Sequence, residues 1–160
     1  VMTGRTPYQG RFEGTSIGDK EAVYRAFSLT KADKLKDKKF AILSGGEKQK
    51  IVIARAVAQT TPWMLLDEPI ASLDIKNQIE IMQTLSELNR REGVSVLMVL
   101  HDINLAGIYC DRLIMLKDGQ VIAAGNTNEC LCEENLKKLY DISFFHMDTK
   151  KGQRYYYAEI

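Results

Sequence analysis

The chain has 160 residues, with 22 Lys plus Arg against 21 Asp plus Glu, a formal net charge of +1, and 45% hydrophobic residues. That length supports one domain with a real core rather than two ordinary ones. The composition excludes a disordered chain, and the charge balance argues against a nucleic-acid binder that works by bulk charge. No apolar run reaches the ~20 residues that a membrane helix needs, and the opening residues do not read as a signal peptide. Three cysteines, at 110, 130 and 132, are no disulfide framework and suit a reducing cytoplasm. Cys130-x-Cys132 lacks the second pair or nearby His that would make it a metal site.

Gly4, Gly10, Gly14 and Gly18 break the polar opening. A helix is expected over Asp19–Leu29, with Ala22, Val23, Ala26 and Phe27 on one stripe. Lys31–Lys39 reads as a solvated, lysine-rich surface. A second helical pattern runs from Lys48 to Gln59, with Ile51, Ala54 and Ala58 on one face. Met64–Leu66 is a short apolar run that suits a strand buried on both faces of a parallel sheet. A helix over Lys76–Arg91 turns Ile81, Leu85 and Leu88 inward and stops at Gly93. A second buried strand, Ser95–Leu100, completes a strand–helix–strand unit, so the two strands should be parallel and close. Beyond a short helix at Leu105–Tyr109, Arg112–Lys117 and Gln120–Ala124 flank Asp118-Gly119, a strong hairpin signal. Asn128–Tyr140 reads as one helix. Phe144–Met147 and Arg154–Glu159 pair across Lys151-Gly152.

Two of these strands end in polar residues: Asp67 and Glu68 on the first, His101 on the second. Ligands of open α/β sheets bind beyond the carboxyl ends of the strands, so these three titratable groups form a candidate site. Adjacent carboxylates there repel each other when buried unless a cation offsets them, and Mg2+ favours carboxylates, waters and phosphate oxygens. Ser44-Gly45-Gly46-Glu47 has two readings. As a capping box, Ser44 caps the helix and Glu47 reaches back. As a phosphate cradle, the two glycines let an anion approach N–H groups at the positive end of the helix. The spacing alone leaves both open.

Taken in order, Leu43-Ser44-Gly45-Gly46-Glu47-Lys48-Gln49 resembles the signature motif of ATP-binding-cassette (ABC) ATPases. Trp63-Met64-Leu65-Leu66-Asp67-Glu68 resembles their Walker B strand, Ser72-Leu73-Asp74 their D-loop, and His101-Asp102 their switch histidine. Gly4-Arg5-Thr6-Pro7-Tyr8, His101-Asp102-Ile103-Asn104-Leu105-Ala106 and Tyr109-Cys110-Asp111 are similar to the ATPases of iron-siderophore, haem and cobalamin importers. No G-x-x-x-x-G-K-[ST] occurs in the 160 residues. The resemblance therefore implies the carboxyl part of a cassette, with the P-loop, adenine platform and Q-loop glutamine upstream of Val1. Ile70 stands where the family usually has Thr.

The fold implied is α/β and P-loop-NTPase-like: a partial helical subdomain over 1–43, a signature-helix and catalytic core over 44–140, and a carboxyl-terminal extension with a hairpin over 141–160. The implied ligands are ATP and Mg2+. Asp67 holds Mg2+ through water, Glu68 is the general base, and His101 senses the γ-phosphate. Ser44, Gly45, Gly46, Glu47 and Gln49 meet nucleotide held by the other subunit of a head-to-tail homodimer, while Ser72 and Asp74 couple the two sites. The implied partners are that second ATPase subunit and an integral-membrane permease, with no nucleic acid, at the cytoplasmic face of the membrane. Without a P-loop the isolated chain is expected to be inactive. Three other readings stand beside this one. A hydrolase would use Ser44, Asp67 and His101, but Ser44 lacks the G-x-S-x-G elbow. A DNA-repair or translation cassette would carry insertions not seen here. The chain could also be a non-catalytic interaction fragment.

Overall fold

The computed structural model describes residues 1–8, 14–150 and 152–159. Gly10 of the opening and Lys151 of the final turn lie outside the described residues. The chain divides into two compact units, Val1–Val99 and Leu100–Ile160, where its length alone reads as one domain.

The first unit opens with a 3-10 segment, Met2–Tyr8, followed by helix α1 (Ile17–Leu29). This helix begins two residues before the expected start because Ser16 caps it: the Ser16 Oγ accepts from Asp19 N, and Asp19 accepts from Ser16 N. Val23, Ala26 and Phe27 are buried, and Ala22 is half-buried. Arg5 ties the opening to both helices of this region. Its Nε donates to Asp19 Oδ1 at 2.8 Å and its Nη1 to Ala58 O at 3.0 Å, with the guanidinium 3.9 Å from the Tyr8 ring centroid. A side chain on Gly4 would meet the Arg55 carbonyl at 2.2 Å, so this close approach of the opening to the second helix requires glycine. The lysine-rich stretch is not wholly solvated. Ala32 and Leu35 are buried around a 3-10 turn at Asp33–Leu35, while the lysines stay exposed.

Helix α2 spans Gly45–Val57, three residues earlier than the apolar period begins, because Ser44 caps it. Its buried Ala54 and the Ala58 that caps its end join Val23, Phe27, Leu35 and Leu43 in one core cluster. Strands β1 (Trp63–Leu66) and β2 (Ser95–Met98) are parallel, with Met64 opposite Val96 and Leu66 opposite Met98. Helix α3 (Ile75–Glu92) lies between them in sequence, buries Ile81, Leu85 and Leu88, packs on β2 and ends at a left-handed Gly93. Burial on both faces is not found. Met64 is buried, but Leu65 is 75% exposed and Leu97 52% exposed. Alternate side chains point to opposite faces of a strand, and only one face of this pair is covered.

The second unit begins with α4 (Ile103–Tyr109), capped by Asp102, whose Oδ1 accepts from Asn104 N and Leu105 N. Strands β3 (Arg112–Lys117) and β4 (Gln120–Asn126) form the expected hairpin, with Asp118 and Gly119 both at positive φ in the turn. The single helix expected over Asn128–Tyr140 is broken. Residues Thr127–Cys130 form α5 and Glu133–Tyr140 form α6, with an extended Cys132 between them. The break lets Leu131 join Met115, Cys130, Leu136 and Tyr156 in the core of this unit. Strands β5 (Phe144–Asp148) and β6 (Arg154–Ala158) pair antiparallel. The Asn104 side chain accepts from Tyr156 N and donates to Tyr156 O, so the last strand is pinned to α4.

Candidate functional site

The N-terminus of α2 carries the serine–glycine cluster. Ser44 is exposed and extended, and its Oγ accepts from Glu47 N at 3.3 Å while Glu47 Oε2 accepts from Ser44 N at 2.9 Å. The capping box is therefore formed. It does not displace the phosphate reading: helix geometry leaves the first N–H groups without intrahelical acceptors, and Gly45 is open to solvent. Glu47 also receives Lys38 Nζ at 3.0 Å. The Ser44 backbone N–H, then Lys38, holds its carboxyl below the usual range. Gln49 is half-buried one turn into the helix.

Asp67 and Glu68 follow the last residue of β1, whose ladder closes with Val99 N donating to Leu66 O. Both carboxylates are exposed, not buried as the repulsion argument assumed, so they need no cation to coexist in this chain. Glu68 adopts a left-handed backbone, φ 44°, uncommon for a residue with a side chain. The chain then buries Pro69 and Ile70 and returns outward through exposed Ser72 to Asp74. Ile70, where the resemblance expects Thr, packs as a core residue.

Asp74 caps α3. Its Oδ1 accepts from Asn77 N at 2.9 Å and its Oδ2 from Asn77 Nδ2 at 2.8 Å, and these bonds depress its pKa. The cluster at α2 and the loop before α3 are neighbours: a side chain on Gly45 would reach Leu73 at 3.6 Å, and one on Gly46 would collide with the Asn77 amide. One turn further along both helices, Lys50 Nζ meets Glu80 Oε2 at 2.7 Å. The structure thus brings Ser44, Gly45, Gly46 and Glu47 together with Ser72 and Asp74, and sets Asp67 and Glu68 at the strand end that leads into this loop. His101 belongs to the second unit, exposed and directly before the α4 cap.

Among the described residues no group of three or more His, Cys, Asp or Glu is gathered to hold a metal. The donors at the strand end nevertheless fit Mg2+, which binds through one or two carboxylates and takes its other ligands from water and phosphate. Lys50, Asn77 and Glu80 were not singled out from sequence. A signal for Asn77 was available, since a residue three places after an Asp at a helix start is where a cap closes.

A family model described as ABC transporter matches residues 5–71. The ferric enterobactin transport ATP-binding protein FepC of Escherichia coli K12 is 40% identical over 148 residues, covering 92% of this chain and 55% of that protein. A metal-chelate type ABC transporter solved in an inward-facing conformation superposes with a TM-score of 0.93 at 26% identity, over 99% of this chain and 65% of that one. A dimeric post-hydrolysis state of the ATP-binding cassette MJ0796, bound to ADP and Pi, gives a TM-score of 0.60 at 34% identity, over 73% of this chain and 51% of that one. The chain spans about half the length of the curated relatives it matches.

Proposed function

This chain belongs to the ABC transporter family and has its P-loop-NTPase-like fold, and from that premise we propose that it is the signature-helix and Walker B portion of the ATPase subunit of an importer for iron-siderophore, haem or cobalamin. The observation that carries this reading is the packing of the Ser44–Glu47 helix start against the Leu73–Asn77 segment, with Asp67 and Glu68 at the strand end before it. In this reading residues 1–43 belong to the helical subdomain, 44–140 to the catalytic core, and 141–160 to a carboxyl-terminal extension.

Phosphoryl transfer asks for positioning and charge neutralisation more than for covalent chemistry. Glu68 orients the attacking water and takes up its proton. Asp67 would hold Mg2+ through water, and the ion when bound neutralises phosphate charge. His101 hydrogen-bonds the γ-phosphate. The start of α2, where Ser44 and Gly45 are exposed, would offer the Ser44 hydroxyl and the first backbone N–H groups to a γ-phosphate held by the second subunit, with the buried Gly46 behind them and Glu47 and Gln49 framing the site. Ser72 and Asp74 link the two sites across the dimer. The permease would dock on the helical subdomain, where a cleft of about 310 Å3 is lined by Leu35, Lys38, Phe40, Leu43, Ile51 and Arg55. Such a subunit works at the cytoplasmic face of the membrane. No P-loop sequence occurs in these residues, so the 160-residue chain by itself is inactive in this account.

The test is Glu68→Gln in the intact ATPase. ATP hydrolysis should fall by at least about a hundredfold, the scale of a lost general base, while an ATP-bound dimer accumulates on size-exclusion chromatography. Hydrolysis at the parent rate, or monomer alone in the presence of ATP, overturns the assignment of Glu68.

A further inference from the structure

One side chain, that of Asn77, lies against both Gly46 and Asp74. Asn77 donates from Nδ2 to Asp74 Oδ2 at 2.8 Å and from its backbone N to Asp74 Oδ1 at 2.9 Å. On its other side, a Cβ built on Gly46 would stand 2.3 Å from Asn77 Oδ1 and 2.5 Å from Asn77 Cγ. An amide at the end of a free side chain would swing away from such a methyl. This one is held, because swinging it breaks the bond to Asp74. The surrounding contacts leave little slack: Lys50–Glu80 clamps the same two helices one turn on, and Gln78 Nε2 donates to Ile70 O at 3.2 Å, tying α3 to the loop before it. Close-packed, hydrogen-bonded contacts of this kind pass on a displacement instead of absorbing it.

We propose that Asn77 is a positioning residue that makes the glycine pair at the start of α2 and the Asp74 loop one mechanical unit, so that a change in the seating of Gly46 is felt at the Asp74 carboxylate. This explains why the second glycine is glycine, which neither a cap nor helix propensity does. It also gives a route by which nucleotide at the serine–glycine cluster would move the loop that couples the two catalytic sites, and to that extent it rests on the ATPase reading.

The test uses the 160-residue chain without nucleotide. Asp74 is titrated by carboxyl-carbon NMR, and unfolding is followed thermally. Gly46→Ala should raise the Asp74 pKa by displacing the Asn77 amide that bonds it. Gly45→Ala, whose methyl meets only Leu73 at an ordinary 3.6 Å, should leave that pKa unchanged. Asn77→Asp keeps the side-chain shape but replaces the donor, so it should raise the Asp74 pKa even if Gly46→Ala fails to fold. The stability losses of Gly46→Ala and Asn77→Ala should not add, and the double variant should melt no lower than Asn77→Ala alone. An Asp74 titration indifferent to Gly46→Ala and to Asn77→Asp, or additive losses, would overturn the unit. In the intact ATPase, Asn77→Asp should lower kcat by about tenfold with KM for ATP unchanged. An unchanged kcat overturns the positioning role. An intact protein with no ATPase activity sinks the functional reading, and the titrations then decide the mechanical unit without it.

Discussion

Two helices of this chain start with the same four-residue grammar, serine, two residues, then an acid, and the structure uses them differently. At α1 the acid is Asp19, which is buried and ion-paired to a half-buried Arg5. At α2 the acid is Glu47, half-exposed and paired to an exposed Lys38. Both boxes form. Both starts expose their serine and a glycine, but only at the first is the acid locked into the core. A capping pattern therefore reports a helix start, and what surrounds the acid reports how firmly that start is tied into the fold.

The difference can be broken most easily at Asp19. Replacing it by Asn takes the anion from a half-buried Arg5, which keeps its bond to Ala58 O, and costs about 2 kcal/mol, between the values of an exposed and a fully buried pair. Urea unfolding of the chain should show a loss of that size. At α2, Ser44→Ala should cost about 1 kcal/mol, the usual value of a cap, and, in the reading proposed above, abolish ATP-driven dimerisation of the intact protein. A Ser44→Ala loss as large as that of Asp19→Asn would erase the distinction between the two starts. The smallest effect is at Glu47. Its folded pKa lies below its ordinary 4.5, so its contribution is present above about pH 4.5 and disappears as the pH falls through the folded value. Glu47→Gln should be slightly less stable than the parent at pH 6, with the gap closing in acid and shrinking in high salt. A gap that widened toward low pH would show that the box at α2 is not held by the ionised carboxylate.

Much of the element order was legible because periodicity and punctuation agree: the amphipathic stripe of α3, its stop at Gly93, and the Asp118-Gly119 hairpin follow from local rules. Three features did not follow from them. The helix expected over Asn128–Tyr140 breaks because burying Leu131 requires an extended Cys132, a tertiary demand that overrides helical propensity. The strands expected to be buried on both faces are covered on one, because a strand's sequence states what it could bury and not what is present to cover it. Asp67 and Glu68 are exposed for the same reason.

Sequence alone determined the chemistry available here: a glycine-flanked serine at a helix start, an acidic pair after an apolar strand, and motifs whose order resembles an ABC ATPase. These are local in the chain, where spacing fixes geometry. Only the tertiary structure decided which of those groups meet. Asn77 stands 31 positions beyond Gly46 in the numbering and yet occupies the space a side chain there would need. Packing is set by contacts between segments remote in sequence, and no local pattern encodes them.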